Sequence, residues 1–238
     1  MYVILDAGHN EHIAGKRSPD KTLLEYEFNY DVAQKTQKHL LRCGIAAEVM
    51  QMDTASAVED VELRIKYANE KKADLLVSIH ANAAGTAGWY TGKDGRMWNT
   101  AHGWEIYCYE PDKHNGESYK LAEAIHSESM KLLNLTDRGI KDGKYLGVVA
   151  RTTMPAVLVE HAFYTNENEC ELLKSQEFRD RCALADAGGI CKYLGMSLDG
   201  KTQDEIVKER FGLNDETMEY LINYRYSEDL LKRLATKE

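Results

Sequence analysis

The sequence predicts an α/β fold: a single sandwich with a largely parallel central sheet covered by helices, plus a small helical C-terminal appendage. Short apolar runs alternate with segments of helical periodicity from Tyr2 to Tyr193, the order that strand–helix–strand units produce. Several runs are almost wholly apolar, as expected for strands that are buried on both faces of a parallel sheet. With 238 residues, 43% of them hydrophobic, the chain is long enough to bury a full core.

The first part of the chain predicts three strands and two helices. The predicted strands are YVIL, IAAEVM and DLLVSI. Apolar residues at near-helical spacing indicate a helix from Leu23 to Cys43, and Gly44 is a typical stop for it. The segment VEDVELRIKYANEKK predicts the second helix.

The second part begins with a long loop, from about Ala81 to Gly103, that is rich in glycine and tryptophan. Connections of this length are uncommon in compact domains, so the loop is expected to be functional. Aromatic residues in or next to the loop either stack on a sugar, line the peptide groove or pack locally, namely Trp89, Tyr90, Trp98 and Trp104. Beyond it, the sequence predicts the strand WEIYCY, the helix GESYKLAEAIHSESMKLL, the strands YLGVVA and PAVLVE, and helix up to Tyr193.

Composition excludes several classes of function. A formal net charge of -9 disfavours binding to a nucleic-acid backbone. No apolar run approaches the roughly 18 residues that a membrane span needs. The five cysteines show no paired short spacing, so we expect reduced side chains rather than a zinc ribbon or a disulfide framework.

Three predicted strands end in a residue that can bind a metal or transfer a proton. VILDAGH ends at His9, LLVSIH at His80 and AVLVE at Glu160. Each residue alone has an ordinary structural explanation, such as a hydrogen-bonded histidine or a carboxylate that leaves the strand for solvent. Because ligands of such folds collect beyond the carboxyl ends of the strands, the three are expected to meet at one edge of the sheet.

A fourth candidate lies at the start of the first helix, in TLLEYEFNYDVA. Either Glu25 or Glu27 could face the same edge, because this helix begins soon after His9. Thr22 and Glu25 also have the spacing of a helix capping box, in which Glu25 would only satisfy the helix terminus. The spacing alone leaves both interpretations open.

Four motifs, in order, resemble the zinc-dependent N-acetylmuramoyl-L-alanine amidases of the Amidase_3 (AmiC-like) family over roughly residues 1 to 195. They are ILDAGHN, EYEFNYDVA, SIHANA, and DRGIK followed by MPAVLVEHAFYTNENE. The resemblance implies zinc ligands at His9, Glu25 and His80, and a catalytic role for Glu160. Two local departures are Asn10, where the family usually has glycine, and His161, where it usually has a small or hydrophobic residue.

The chemistry of this residue set agrees with the resemblance. Two neutral imidazoles and one carboxylate leave a tetrahedral zinc ion with one open position, which is typical of catalytic sites. Glu160 would take a proton from water and return it to the leaving amine. Substrate contacts are expected from Asn82 in SIHANA and from Arg138 in DRGIK, although Arg138 fits an ordinary surface salt bridge equally well.

The implied activity is hydrolysis of the amide between N-acetylmuramic acid and L-alanine in peptidoglycan. A zinc peptidase that cleaves within the stem peptide and a non-catalytic wall-binding module are the alternatives. The start of the sequence lacks the pattern of a secretory signal. This resembles endolysins, so we expect synthesis in the cytoplasm and action on the wall after release.

The character of the sequence changes at about residue 197. Residues 1–196 are predicted to form the zinc amidase domain, and residues 197–238 a small helical region of two or three short helices after a linker at Gly200. About 40 residues are near the lower limit for independent folding. We therefore expect this region to pack on the catalytic domain or on another copy of itself, as a homo-oligomer, with wall targeting as the alternative.

Overall fold

The fold is built from strands and helices that alternate along the chain. The computed structural model describes residues 1–109, 116–199, 201, 203–224 and 227–236. The strands are β1 (Tyr2–Ala7), β2 (Ala46–Met50), β3 (Leu75–Asn82), β4 (Trp89–Thr91), β5 (Met97–Asn99), β6 (Trp104–Cys108), β7 (Asp137–Asp142) and β8 (Ala156–Phe163). The helices are α1 (Glu25–Arg42), α2 (Ala57–Lys71), α3 (Glu117–Leu132), α4 (Gly147–Ala150), α5 (Glu167–Lys174), α6 (Gln176–Tyr193), α7 (Gln203–Phe211), α8 (Asp215–Ile222) and α9 (Ser227–Thr236).

Six of these strands form one sheet in the order β2-β1-β3-β8-β6-β7. Neighbouring strands are parallel except for β6 and β8, which pair antiparallel. Strand β8, the last strand among the described residues, lies between β3 and β6. The predicted α/β class with a largely parallel, helix-covered sheet is therefore confirmed.

Helices cover both faces of the sheet. Because side chains alternate along a strand, Val77 and Val159 point to one face, where they pack with residues of α1, α3 and α6. Leu76 and Leu158 point to the other face and pack with residues of α2 and α4. His80 lies four residues after Leu76 and Glu160 two after Leu158, so both are on the face that α2 and α4 cover.

One predicted element was wrong, and one strand was not predicted. YLGVVA was expected to be a strand, but it contains α4, in which Val148 and Val149 pack against Ile65 and Leu158. A short apolar run fits a buried helix as well as a strand, and here it covers the sheet instead of joining it. No strand was expected in DRGIKD, which forms the edge strand β7, because its exposed and polar side chains hide the strand pattern.

The long loop contains an antiparallel hairpin, β4 and β5. Trp98 in this hairpin and Trp104 at the start of β6 are buried, so both pack locally. Trp89 and Tyr90 are 39% and 38% exposed, which leaves a surface role open to these two alone. The strand expected in DLLVSI continues to Asn82, and it therefore carries His80 and Asn82 within the sheet.

The described C-terminal residues form three short helices, α7, α8 and α9, which pack on one another. Val207, Met218 and Leu231 are buried together in a small cluster of their own. Gly200, the expected linker, lies outside the described residues, and a domain boundary at residue 196 stays a prediction. The five cysteines are buried and free, and no helix in the described ranges is both long and apolar enough to cross a membrane.

Candidate metal centre

His9 is fixed by the turn that follows β1. It adopts a left-handed backbone conformation with φ of 59°, which is uncommon for a residue other than glycine. Its carbonyl oxygen accepts hydrogen bonds from Arg64 Nη2, at 2.9 Å, and from Gln51 Nε2. These two donors stabilise the turn and hold the backbone that carries the imidazole.

Gly8, the residue before it, leaves space for the second histidine. Its N–H donates to the carbonyl oxygen of Ile79 at 3.1 Å, which ties the turn to β3. A Cβ at Gly8 would lie 2.2 Å from Cε1 and Nε2 of His80. Glycine therefore allows the His80 ring to lie against the turn, edge-on to His9, with ring centroids 4.9 Å apart.

Glu25 brings the first turn of α1 to the two imidazoles. Its side chain is 2% exposed and lies 3.0 Å from His80 Nδ1 and 3.5 Å from His9 Nε2. Asn29, one helical turn later, donates from Nδ2 to the carbonyl oxygen of Gly8 at 2.8 Å. These contacts place the start of α1 beside the turn after β1.

The structure decides between the two interpretations of this helix start. Leu24 is the N-cap residue and makes no side-chain capping bond, whereas Thr22 donates to Asp20 at 2.7 Å. The capping-box interpretation of Glu25 is therefore wrong. Glu27 is exposed, so Glu25 alone of the two glutamates meets the histidines.

The three predicted ligands come together as a donor set that fits a divalent cation. Nitrogen atoms of His9 and His80 and a carboxylate oxygen of Glu25 all lie within 4.8 Å of one another. Burial and the neighbouring His80 lower the pKa of His9 to about 4, so this imidazole is neutral at pH 7. Burial opposes ionisation of Glu25, but the contact with His80, foremost the hydrogen bond, outweighs it and lowers the pKa of Glu25. A neutral imidazole and an ionised carboxylate are the forms that bind metal.

A buried ion network supports this centre from behind. Arg64 of α2 is 2% exposed and pairs with Asp6 of β1 and, through Nε at 2.8 Å, with Asp60. It also donates to the carbonyl oxygen of Ala7 at 2.6 Å. Sequence reasoning missed this network, although Asp6 within an apolar strand was a signal for it. Arg64 thus binds the backbone on both sides of Gly8.

Glu160 lies beside the metal ligands on the same face of the sheet. It is the register partner of His80 in β3 and of Glu105 in β6, so the three form a row across neighbouring strands. Its Oε2 atom is buried and has no hydrogen-bond partner among the described residues. Burial, reinforced by the charges of Glu25 and Glu105 and opposed by His80, raises the pKa of Glu160 to about 8.

One cavity joins these residues. It has a volume of about 210 Å³, and its walls include His9, His80 and Glu160. Leu146 and Val148, from the segment around α4, close the other side. The arrangement places a candidate cation site and an unpartnered carboxyl oxygen in one partly apolar space, which suits proton transfer next to a metal.

The two predicted substrate contacts meet at a residue that sequence reasoning missed. Asn82 Nδ2 donates to Glu105 Oε1 at 2.8 Å, and Arg138 Nε donates to Glu105 Oε2 at 2.5 Å. Glu105 is 2% exposed, within a strand that is otherwise apolar or aromatic. A single glutamate in WEIYCY was the available signal. Asn82 is thus one strand away from Glu160, on β3, and Arg138 is two strands away, on β7.

The two departures from the family pattern lie outside the cavity wall. Asn10 donates to Thr54 and, at 3.1 Å, to Asp60 Oδ1. His161 points to the other face of the sheet, where it is fully buried and lies 3.1 Å from Asp186. Both residues stabilise the surrounding structure instead of adding a group to the candidate centre.

Comparisons with known proteins agree with this geometry. The chain is 30% identical to the N-acetylmuramoyl-L-alanine amidase LytC of Bacillus subtilis (strain 168) over 192 residues, which are 80% of this chain and 35% of LytC. It is 30% identical to the endolysin of Bacillus phage SPP1 over 197 residues, 82% of this chain and 66% of the endolysin. The chain therefore spans about a third of the length of LytC and less than two thirds of that endolysin.

The fold has close counterparts among solved structures. The catalytic domain of CwlV, an N-acetylmuramoyl-L-alanine amidase from Bacillus (Paenibacillus) polymyxa var. colistinus, matches with a TM-score of 0.68 and 30% identity, covering 81% of this chain and 97% of that domain. A model of the Amidase_3 family, described as N-acetylmuramoyl-L-alanine amidase, matches residues 3–192. Because that match covers most of the chain and includes His9, Glu25, His80 and Glu160, the chain belongs to the Amidase_3 family.

Proposed function

We propose that this protein is a zinc-dependent N-acetylmuramoyl-L-alanine amidase, which hydrolyses the amide between the lactyl group of N-acetylmuramic acid and L-alanine in peptidoglycan. The observation that carries the proposal is the cluster of three candidate metal ligands, His9, Glu25 and His80, beside a cavity whose wall contains both histidines and Glu160. Membership of the family and the amidases among its relatives support the same activity.

His9, Glu25 and His80 would hold the zinc ion through two nitrogen atoms and one carboxylate oxygen. When bound, zinc would polarise the scissile carbonyl and make a water molecule more acidic. Arg64 keeps the turn with His9 in place, and Asn29 keeps α1 against it. The protein thus supplies a prearranged set of ligands.

Glu160 performs the proton transfers in this proposal. Its carboxylate accepts a proton from the attacking water, whose oxygen forms a bond to the lactyl carbonyl carbon. It then returns the proton to the nitrogen of L-alanine as the carbon–nitrogen bond breaks. The products are a free lactyl carboxylic acid and a peptide with an amino-terminal L-alanine. Asn82 and Arg138, next to Glu105, are proposed to contact the peptide portion.

Mass spectrometry of digested walls tests the proposal. An amidase releases peptides that begin with L-alanine and leaves glycan strands with free lactyl acids. A stem peptidase would instead leave L-alanine attached to muramic acid, and a binding module would sediment with walls without releasing either product. Zinc-loaded protein that releases no L-alanine-terminated peptide from any wall preparation would refute the amidase proposal.

We also propose that the C-terminal helices mediate self-association, with wall targeting as the alternative. The helices bury only a small cluster among themselves, while Phe211, Tyr220 and Ile222 remain 50%, 76% and 45% exposed. Truncation after Met196 separates the two roles. Loss of an oligomer by light scattering supports assembly, and loss of wall sedimentation alone supports targeting.

The likeness to a phage endolysin supports a further part of the proposal. The protein would be made in the cytoplasm and reach peptidoglycan after release. Fractionation of producing cells before and after lysis tests this, because an enzyme found in the wall fraction of intact cells would contradict it.

A further inference from the structure

Glu105 is the centre of a hydrogen-bond cluster next to Glu160. Its Oε1 atom accepts from Asn82 Nδ2 at 2.8 Å and from the Tyr107 hydroxyl at 2.6 Å. Its Oε2 atom accepts from Arg138 Nε at 2.5 Å and from Lys141 Nζ. Two donors for each oxygen satisfy the carboxylate, which explains how a charged side chain with 3% exposure is tolerated in the sheet.

The cluster carries excess positive charge at its surface. One carboxylate, that of Glu105, faces two cations, Arg138 and Lys141. The side chains of these cations are 34% and 33% exposed, so part of each remains in contact with solvent. Within this cluster two partly exposed cations face one buried carboxylate, and the excess of cationic groups at the surface favours an anionic partner.

The cations are held in place as well as neutralised in part. The Arg138 guanidinium lies over the Phe163 ring, 4.9 Å from its centroid, and the Lys141 ammonium lies 5.9 Å from that of Tyr107. Gly103 makes room for this arrangement, since a Cβ there would lie 3.0 Å from Cδ of Arg138. Arg138 uses its Nε atom for Glu105 and its Nη1 atom for the carbonyl oxygen of His102, at 3.3 Å, so Nη2 is the guanidinium nitrogen that remains for a ligand.

The position of the cluster indicates which part of a substrate it meets. From Glu160 on β8, the sheet passes through Glu105 on β6 to Arg138 and Lys141 on β7. Two strand spacings amount to roughly 10 Å. Two residues of an extended peptide span roughly 7 Å, which is less than this distance between the strands. The side chains of Arg138 and Lys141 are long enough to reach across the remainder.

We propose that Glu105 is a positioning residue that holds Arg138 and Lys141 as a binding wall for a carboxylate of the stem peptide, about two residues beyond the scissile amide. The identity of this ligand rests on the proposed function. The wall would select stems with a free carboxyl group over stems in which the same group is an amide. Arg138 and Lys141 contact that group, and Glu105 acts through them.

The test measures binding separately from turnover. Two muropeptides with the same tetrapeptide stem are compared, one with a free and one with an amidated α-carboxyl at the second residue. Their dissociation constants are measured by calorimetry with the zinc-loaded full chain carrying Glu160→Gln. We expect the free carboxylate to bind about 10-fold more tightly, as is typical for a charge-assisted hydrogen bond.

Variants in this background then assign the preference to the cluster. Glu105→Gln is expected to reduce the ratio of the two dissociation constants to a value between about 1 and 2. Glu105→Asp keeps the charge and is expected to retain much of the preference for the free carboxylate. Lys141→Met tests the wall without altering a buried residue. Glu117→Gln is the matched control, because Glu117 also accepts from a lysine and a tyrosine, Lys120 and Tyr193, but on α3. It is expected to leave the ratio unchanged.

Two results would overturn the inference. The first is equal affinity for the two muropeptides with the cluster intact. The second is a preference that survives in both Glu105→Gln and Lys141→Met. The proposed amidase activity fails on a different observation, the absence of L-alanine-terminated peptides from walls treated with the unmodified protein.

Discussion

Substitution of Gly8 by alanine tests the candidate metal centre through geometry alone. A Cβ at this position would lie 2.2 Å from two atoms of the His80 ring, whereas ordinary contact begins near 3.4 Å. The ring would have to move by about 1.2 Å, the difference between these two distances. Zinc–ligand distances tolerate shifts of only about 0.2 Å. In the alanine variant, His80 cannot keep its 3.0 Å contact with Glu25 and also avoid the new methyl group.

We expect the variant to bind zinc about 100-fold more weakly. This is the upper end of the range seen when a residue that orients one metal ligand is changed. Competition with a chromophoric chelator measures this loss directly. Zinc should also raise the melting temperature less in the variant than in the unmodified protein. A 100-fold loss of affinity removes about 2.7 kcal/mol of ligand stabilisation, or roughly 5 °C or more for a domain of this size.

Gly85→Ala is the matched control, because a Cβ at Gly85 meets no atom within 4 Å and Gly85 does not have a positive φ. It should bind zinc as the unmodified protein does. If Gly8→Ala bound zinc with unchanged affinity, His80 would not be a ligand in the arrangement described, and the assignment of the centre would have to be abandoned.

The remaining predictions concern the proton acceptor, the metal and the buried cluster. Glu160→Gln should lower turnover by about 10² to 10⁴ while zinc content, measured by mass spectrometry, is retained; loss of zinc would instead make Glu160 a ligand. Treatment with a chelator should lower the melting temperature in scanning calorimetry, since His9, Glu25 and His80 join β1, α1 and β3, and an unchanged melting temperature would contradict this ligand set. Burial opposes ionisation of Glu105, but hydrogen bonds from Arg138, Lys141 and Tyr107 lower its pKa to about 2, below the 4.5 of a free glutamate. Its stabilisation is therefore complete above about pH 4.5 and is lost as the pH falls towards 2. In urea unfolding, the free energy of unfolding of the unmodified protein should exceed that of Glu105→Gln by about 2 kcal/mol at pH 7 and by nearly nothing at pH 2. A difference that does not change with pH would show that the charge of Glu105 is not its origin.

The sequence could predict that His9, His80 and Glu160 lie close together, and all three line one cavity. Short local motifs were sufficient, because parallel strands bring their carboxyl ends to one edge of the sheet. Glu25 was ambiguous, since its spacing from Thr22 fits a cap as well as a ligand. The structure distinguishes the two, because Leu24 is the N-cap residue without a side-chain cap and Glu25 contacts His9 and His80. The confirmed class of fold follows from the alternation of apolar and helical segments, which does not depend on details of pairing.

Arg64 and Glu105 could not be predicted in the same way. Arg64 meets Asp6, 58 residues away, and Glu105 meets Lys141, 36 residues away. No local pattern encodes such pairs, and a lone charged residue in an apolar segment indicates only that some partner exists. The segment YLGVVA shows the complementary difficulty, because its apolar residues fit a strand and a buried helix equally well until the neighbouring layer is known.

The insertion of β8 between β3 and β6 separates the parts of the centre in the order of synthesis. Every candidate metal ligand has been translated once residue 80 is added, whereas Glu160 comes 80 residues later (160 minus 80). At ordinary rates of translation this is a delay of roughly 4 to 16 s. A nascent or truncated chain that lacks β8 has the three candidate ligands but not Glu160, and β6 has no strand to join it to β3 and the rest of the sheet. Under the proposed function, turnover would therefore require that β8 has entered the centre of the sheet.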